Sequence, residues 1–125
     1  MTEIETGFDP VKGIIYNKRA AGILHLDDML EELSLLNNNK TLPRNLKVLE
    51  DARDTIVSFS AKEIPILIKK LENVLEDFGS IRHAVVQKEA KNAAYTILVE
   101  EFMKNKMYSI KVFSTVHAAT IWIER

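Results

Sequence analysis

The stretch VLEDARDTIVSFSAKEI, residues 48–64, holds several side chains that could do chemistry. It opens as a short apolar strand and ends as the start of a helix, with carboxylates, an arginine and hydroxyls between them. The candidate binding or regulatory residues in it are Asp51, Arg53, Asp54, Ser58 and Ser60. They could form a reactive centre, a phosphoacceptor loop or an ordinary polar strand-to-helix connection.

Asp51, Arg53 and Asp54 lie at the C-terminal end of the strand that is predicted to be central. Ligands of open α/β sheets usually bind at this edge, beyond the carboxyl ends of the strands. Arg53 could there hold an anion or the carboxylate of a partner. The interpretation that we favour is a local ion pair between Asp51 and Arg53 with an aspartate-led turn. An enzyme built on Asp51, Arg53 and Asp54 would need a concave site and strongly perturbed ionisation there.

Ser60 begins the sequence Ser-Ala-Lys-Glu, which is the pattern of a capping box with Glu63. In that motif the serine hydroxyl accepts a hydrogen bond from the first helical turn, and the glutamate accepts one from the serine amide. Such a cap contributes about 1 kcal/mol, which is reason enough for the residue. A phosphate on Ser60 would also meet free amides at the helix N-terminus. We favour the cap.

No other residue set has the spacing of a metal or catalytic motif. The three histidines, His25, His83 and His117, fall on different predicted elements, and none pairs at the i, i+4 spacing of helical metal ligands. Asp27 and Asp28 begin a predicted helix and do not directly follow a strand, as a receiver-type metal site would require. The chain has no cysteine, which excludes thiolate ligands and disulfides. We therefore expect no cofactor, no metal and no enzymatic activity.

The composition is that of an ordinary globular domain. The chain has 125 residues, of which 46% are hydrophobic and 28% charged, enough for one core. The 17 basic and 18 acidic residues nearly cancel, and the basic residues are scattered, which argues against nucleic acid. No apolar run is long enough for a signal peptide or a membrane span. We expect a single cytoplasmic domain over residues 1–125, without stable membrane insertion.

Alternating periodicities predict an α/β fold. Predicted strands cover residues 3–8, 11–19, 45–52, 80–88 and 107–113. Predicted helices cover residues 25–39, 60–78, 89–105 and 114–125. The first two strands are expected to form a hairpin, so the order β-β-α-β-α-β-α-β-α predicts one open, mixed but mostly parallel five-stranded sheet with four helices.

Apolar spacing also predicts which faces of the last two helices are buried. Ala94, Leu98 and Phe102 form the predicted core stripe of the third helix. Tyr95, Val99 and Met103 lie alongside it, and most of this widened face is predicted to be core. Part of that helix face could instead dock a partner or a second copy of the chain. Trp122 is predicted to anchor the last helix by packing, with Ser114 or Thr115 as its N-cap.

Four segments carry a resemblance to a known group. They are LEDARD after the central strand, FSAKEI opening the next helix, IRHAVV, and the close IKVFSTVHAATIWIE. Together they resemble the SpoIIAA-like group of STAS-related domains, which are small bacterial proteins with the fold of anti-sigma-factor antagonists. The closing pattern of Val-Phe, a polar cap, a double alanine and a tryptophan matches Val112, Phe113, Ser114, Ala118, Ala119 and Trp122.

The resemblance, which spans about residues 4–123, implies a non-enzymatic regulatory or protein-interaction module with a protein partner or a homodimer. In true antagonists a serine at the start of the helix after the central strand is phosphorylated, within an Asp-Ser-Ser-Gly-like motif. Here the region reads SFSAKE and lacks that aspartate and glycine.

The alternative is a small-molecule or lipid-binding domain, because the fold is also similar to that of lipid-carrying Sec14-type domains. A pocket of roughly several hundred cubic ångströms would favour this alternative, and a filled interior would count against it.

Overall fold

The computed structural model describes residues 4–37 and 39–125. Within them the strands are β1 Ile4–Asp9, β2 Ile14–Arg19, β3 Gly22–Leu24, β4 Asn45–Asp51, β5 Thr55–Val57, β6 Ser80–Val86 and β7 Tyr108–Phe113. The helices are α1 Leu26–Ser34, α2 Ile64–Leu75, α3 Ala90–Phe102 and α4 Val116–Glu124, and a 3₁₀ turn at Ala61–Glu63 precedes α2.

The main sheet has five strands in the order β1-β2-β4-β6-β7. β1 is antiparallel to β2, and the other neighbouring pairs are parallel. The hairpin turn uses Gly13 at a φ of 68°, which glycine adopts without strain, and its N–H donates to the Asp9 carbonyl at 2.8 Å. The predicted mostly parallel five-stranded sheet with four helices is therefore confirmed.

Helices cover both faces of this sheet, because successive side chains of a strand point to opposite sides. Leu46 and Val48 of β4 belong to the larger core, which α1, α2 and α3 cover. Leu49 belongs to the smaller core under α4. Trp122 is half-buried in this second core, with its ring centre 5.7 Å from that of Phe113.

A second, two-stranded parallel sheet pairs β3 with β5. Leu24 and Val57 are buried, whereas Ile23 and Ile56 lie opposite each other in register and are exposed. This small sheet was not predicted, because three residues are too few to show an alternating pattern.

The predicted core stripe of α3 is wrong at two of its three positions. Ala94 is exposed and the Phe102 side chain is 51% exposed. Val99 and Met103, which were placed alongside this stripe, are buried. The helix also buries two polar residues, Asn92 and Thr96, which were not predicted. A prediction from apolar spacing assigns such polar positions to solvent. The predicted buried face is therefore rotated about the helix axis from the observed one.

Asn92 is buried because it joins α3 to the small sheet. Its side-chain amide donates to the Thr55 carbonyl at 2.6 Å, and its side-chain oxygen accepts from the Val57 N–H at 3.1 Å. Both groups of the side-chain amide therefore form hydrogen bonds with backbone atoms of the short strand β5. Buried backbone N–H and C=O groups need such partners.

Candidate functional site

A row of polar side chains crosses the sheet on the face that α1, α2 and α3 cover. Arg19, Glu50, His83 and Tyr108 come from β2, β4, β6 and β7. Each occupies an inward position of its strand, on the same face as the core residues Ile15, Val48, Ile81 and Ile110. Because these strands are parallel neighbours, their inward side chains meet across the sheet.

Direct hydrogen bonds connect the row from end to end. The Arg19 Nε–H donates to Glu50, and its Nη1 and Nη2 donate to the two oxygens of Glu32 on α1, the Nη1 bond being 2.8 Å long. On the other side of Glu50, its Oε1 lies 2.8 Å from His83 Nε2. His83 Nδ1 lies 2.7 Å from the Tyr108 hydroxyl. The four residues of the row and Glu32 therefore form one network of five side chains.

Donor and acceptor capacity fixes the direction of one bond of His83. An ionised carboxylate only accepts, so His83 donates its Nε2–H to Glu50. The other ring nitrogen, Nδ1, pairs with the Tyr108 hydroxyl. Both ring nitrogens of His83 are thus occupied by partners inside the protein.

Burial and charge act in opposite directions on Glu50 and Arg19. Burial alone would raise the pKa of the Glu50 carboxyl, but the charge of Arg19 and the hydrogen bond from His83 outweigh it and hold this pKa at about 2. Burial alone would lower the pKa of Arg19, but Glu50 and Glu32 raise it above its ordinary value. Burial and the charge of Glu50 raise the pKa of Tyr108. The row therefore holds fixed charges and a neutral phenol.

A cavity of about 300 Å³ opens beside the row, between α1 and the β1–β2 side of the sheet. Its walls are mainly aliphatic, and its polar lining includes Asn17, Arg19, Glu32, Glu50 and His83. Among the described residues, Oδ1 of Asn17 is the buried side-chain polar atom that has no hydrogen-bond partner. A smaller cavity of about 70 Å³ lies deeper, toward α3. The interior on this side of the sheet is therefore not filled.

The predicted acidic loop lies at the end of β4 and does not line the large cavity. Arg53 Nε and Nη2 donate to the two oxygens of Asp51 at 2.9 and 2.8 Å. This hydrogen bond lowers the pKa of Asp51, against the effect of partial burial, and raises that of Arg53. Asp54 is exposed. The arrangement has the geometry of the local ion pair that we favoured, and a binding role for these residues stays a prediction.

The two serines of the loop have different surroundings. Ser58 Oγ lies 2.8 Å from His25 Nδ1 and 3.2 Å from the Leu24 carbonyl, at the end of the small sheet. The Ser60 N–H donates to the Glu63 carboxylate at 2.9 Å, within a capping box at the 3₁₀ turn before α2. Neither serine lines the large cavity. Phosphorylation of Ser58 or Ser60 stays a prediction.

Sequence reasoning missed the buried row, although one signal for it was present. Glu50 and His83 each continue the inward alternation of an apolar strand, after Val48 and Ile81 respectively. A charged residue at such a position must find a partner inside the protein. Arg19 at the end of β2 is the complementary charge, but its pairing with Glu50 depends on strand order, which periodicity does not give.

Two further properties bear on the class of site. In residues 4–37 and 39–125, no group of three or more metal-ligating side chains is placed to hold an ion. No helix in the same ranges is long and apolar enough to cross a membrane.

No protein-family profile matches the chain, and no curated protein matches it. Among solved structures, it is similar to an uncharacterised protein of the DUF3478 family, with a SpoIIAA-like fold, from Shewanella loihica PV-4. The two chains are 16% identical, the match covers 98% of this chain and 95% of the other, and the TM-score is 0.61. At this identity the likeness concerns the fold. The resemblance read from the sequence is confirmed at that level, and the chain has a SpoIIAA-like fold.

Proposed function

We propose that this protein is a non-enzymatic domain that binds a small, largely apolar molecule in the cavity under α1. The observation that carries the proposal is the cavity itself, with a volume of about 300 Å³, aliphatic walls and a few polar groups. Pockets for small molecules have volumes of roughly 300–1,000 Å³ and this kind of lining. The geometry thus favours the small-molecule alternative over a module that works through its surface alone.

The cavity exists because α1 covers the sheet incompletely. This helix has nine residues, and Leu26 is the one that it buries fully. Met29 and Leu33 of this helix, and Leu36 in the turn after it, are half-buried and line the cavity. Protein interiors are normally close-packed, and unfilled apolar space lowers stability. An unfilled space of this size under an amphipathic helix is therefore best explained by a ligand.

The buried row supports binding better than catalysis. Glu50, with a pKa of about 2, is a weak base near neutral pH. Both nitrogens of His83 are bonded within the protein, and the Tyr108 hydroxyl is buried. A general acid or base needs a pKa near the working pH and access to the substrate. The row has the properties of a rigid polar wall for a ligand.

The proposal is tested with N-phenyl-naphthylamine, a neutral apolar fluorophore whose emission rises in apolar surroundings. We expect saturable binding at one site. Leu33→Trp, which places a large ring in the cavity, should weaken binding at least about tenfold. Leu30→Trp is the matched control, because Leu30 is a half-buried leucine of the same helix that does not line the cavity. Equal binding by both variants, or no saturable binding by the unaltered protein, would reject the proposal.

A second candidate function is the regulatory protein-interaction module that the resemblance implies. The observation that favours it is the pair of exposed isoleucines, Ile23 and Ile56, side by side on the small sheet. The test is affinity purification from the native cells with the unaltered protein and with Ile56→Lys. We expect a partner protein to co-purify with the unaltered domain and not with Ile56→Lys. The same partner, once purified, should bind the purified unaltered domain. If no protein distinguishes the two baits, this candidate fails.

A further inference from the structure

We infer that Met29 sets the length of the ligand in the cavity under α1, and that the ligand is an elongated molecule whose hydrocarbon end stops against this side chain. The inference rests on the proposed function and deepens it by naming a specificity-determining residue and a class of molecule. Two features lead to it: the arrangement of the two cavities on this face of the sheet, and the side chains that stand between them.

The two cavities adjoin, because five residues line both of them. The large cavity of about 300 Å³ and the small cavity of about 70 Å³ share Met29, Leu33, Glu50, His83 and Tyr108. On one side of these residues the lining continues to β1 and the turn after α1, and on the other side to β5 and α3. The five shared residues therefore form a partition between the two cavities.

Access to the small cavity leads through the large one. Phe8 of β1 is 41% exposed, Leu35 at the end of α1 is exposed, and both line the large cavity. The mouth of the large cavity therefore lies between β1 and the end of α1. Every residue that lines the small cavity is buried or half-buried. A ligand that enters at the mouth thus meets the partition first.

The sheet side of the partition is fixed. His83 Nε2 lies 2.8 Å from Glu50 Oε1, and His83 Nδ1 lies 2.7 Å from the Tyr108 hydroxyl. Arg19 holds the other oxygen of Glu50. A displaced member of this row would lose hydrogen bonds that replace its hydration, which is costly inside a protein. The ligand therefore meets an immobile wall on this side.

The helix side of the partition consists of Met29 and Leu33. They are four residues apart on α1, so their side chains are neighbours on one face of the helix. Methionine is unbranched, reaches one bond further than leucine and fills irregular gaps. Met29 is therefore the side chain that we assign to the gap between α1 and the row.

The floor of the large cavity gives the shape of the ligand. It crosses four neighbouring strands, from Phe8 on β1 through Ile15 and Val48 to Ile81 on β6. Three strand spacings correspond to roughly 14 Å. A space of about 300 Å³ drawn out over this distance takes a narrow, elongated molecule.

The partition determines which end of that molecule points inward. Its polar groups already bond one another, and Met29 and Leu33 offer no hydrogen bond. Burying a polar group without a partner is unfavourable, whereas a hydrocarbon end needs none. The hydrocarbon end of the ligand therefore lies against Met29, and any polar end lies toward the mouth.

The test is a series of unbranched 1-alkanols from hexanol to dodecanol, with binding measured by displacement of N-phenyl-naphthylamine. In the unaltered protein, affinity should rise roughly fourfold with each methylene that the large cavity buries. It should stop rising at the length at which the chain end reaches Met29. Met29→Ala should move this limit to longer chains by about three methylenes, because it removes the heavy atoms beyond Cβ and opens the small cavity.

Two further variants serve as controls. Leu30→Ala is matched to Met29→Ala, because Leu30 is a half-buried residue of the same helix that lines neither cavity, and it should leave the length limit unchanged. Val99 lines the small cavity only. Val99→Phe, which fills that cavity, should keep the limit of the unaltered protein and cancel the extension when combined with Met29→Ala.

A measurement on the unaltered protein keeps the inference testable if Met29→Ala folds poorly. The longest alkanol below the length limit is bound and its position is read by NMR. Nuclear Overhauser contacts should join its terminal methyl group to the Cε methyl group of Met29. The methylene that carries the hydroxyl should contact Phe8 or Leu35 at the mouth.

The outcomes separate the inference from the proposed function. An unchanged limit in Met29→Ala, an equal shift in Leu30→Ala, or affinity that rises through dodecanol in the unaltered protein overturns the inference and leaves the proposed function standing. Contact of the hydroxyl end with Met29 overturns it as well, and so does an extension that survives Val99→Phe. If neither the fluorophore nor any alkanol binds saturably, both are rejected.

Discussion

Glu50 holds the buried row together at the level of single residues. Its two oxygens accept from Arg19 on one neighbouring strand and from His83 on the other. The carboxylate is 6% exposed, so these partners replace its hydration. Removing one member of a buried ion pair leaves the other charged and poorly solvated, which costs more than the pair contributes.

Glu50→Gln should therefore be strongly destabilising. We expect a loss of about 3 kcal/mol in the free energy of unfolding, because Arg19 keeps only Glu32 as a charged partner. Asp51→Asn is the matched control, since it removes the next carboxylate in the chain, which pairs with the exposed side chain of Arg53. That loss should stay below about 1 kcal/mol. Urea unfolding measures both, and equal losses would contradict the special role of the buried row.

The same carboxylate predicts a pH dependence. The pKa of Glu50 is about 2 in the folded protein, against an ordinary value of 4.5. Its contribution to stability is therefore complete above about pH 4.5 and is lost as the pH falls toward 2. The difference in stability between the unaltered protein and Glu50→Gln should narrow over this range, as measured by thermal unfolding at a series of pH values. A constant difference would show that the pKa of Glu50 is not lowered.

At the level of elements, the cavity under α1 follows from the shortness of this helix. The helix packs against α2, while its apolar side chains facing β1 and β2 remain half-buried. The spacing of Leu26, Leu30 and Leu33 gives this helix an apolar face. Spacing cannot show how far the helix stands from the sheet, because that distance depends on the lengths and paths of the connections at both ends.

The start of α4 gives a prediction at the same scale. Ser114 and Thr115 were both candidates for its N-cap, and in the structure the Thr115 side chain accepts from the Ala118 N–H at 3.1 Å. Thr115→Ala should lower the free energy of unfolding by about 1 kcal/mol. Ser114→Ala changes the neighbouring exposed hydroxyl and should have a smaller effect. Urea unfolding separates the two, and a larger loss for Ser114→Ala would contradict the cap.

At the level of the whole molecule, one sheet carries a core on each face. The larger core lies under α1, α2 and α3, and the smaller one under α4. Inward and outward residues alternate along the same strands, so β4 and β6 contribute to both cores. Loss of either core would therefore disturb the strands that the other requires.

This coupling predicts one cooperative unfolding transition. The lone tryptophan, Trp122, reports on the α4 face, whereas far-ultraviolet circular dichroism reports on all helices and strands. The two signals should give the same urea midpoint. Separate midpoints would show that α4 unfolds independently and would contradict a single domain over residues 1–125.

Different parts of the molecule were predictable to different degrees. The strands β4, β6 and β7 and the helix α2 were predicted because each has a long, regular apolar pattern. The small β3–β5 sheet was missed because its strands are short. The buried face of α3 was misassigned because it includes two polar residues. Asn92 is buried with a hydrogen bond to β5, and Thr96 with one to the side chain of Gln87. The capping pattern of Ser60 and Glu63 is local in sequence and was therefore visible.

The sequence by itself determined the α/β class, the capping box and the pairing of Asp51 with Arg53, because each depends on neighbours in the chain or on a regular period. The SpoIIAA-like fold was expected from the resemblance of four segments to that group. Only the tertiary structure decided the buried row and the cavity. Arg19 and Glu50 are 31 residues apart, Glu50 and His83 are 33 apart, and His83 and Tyr108 are 25 apart. Strand order and helix placement bring such residues together, and both are set by packing of the whole chain.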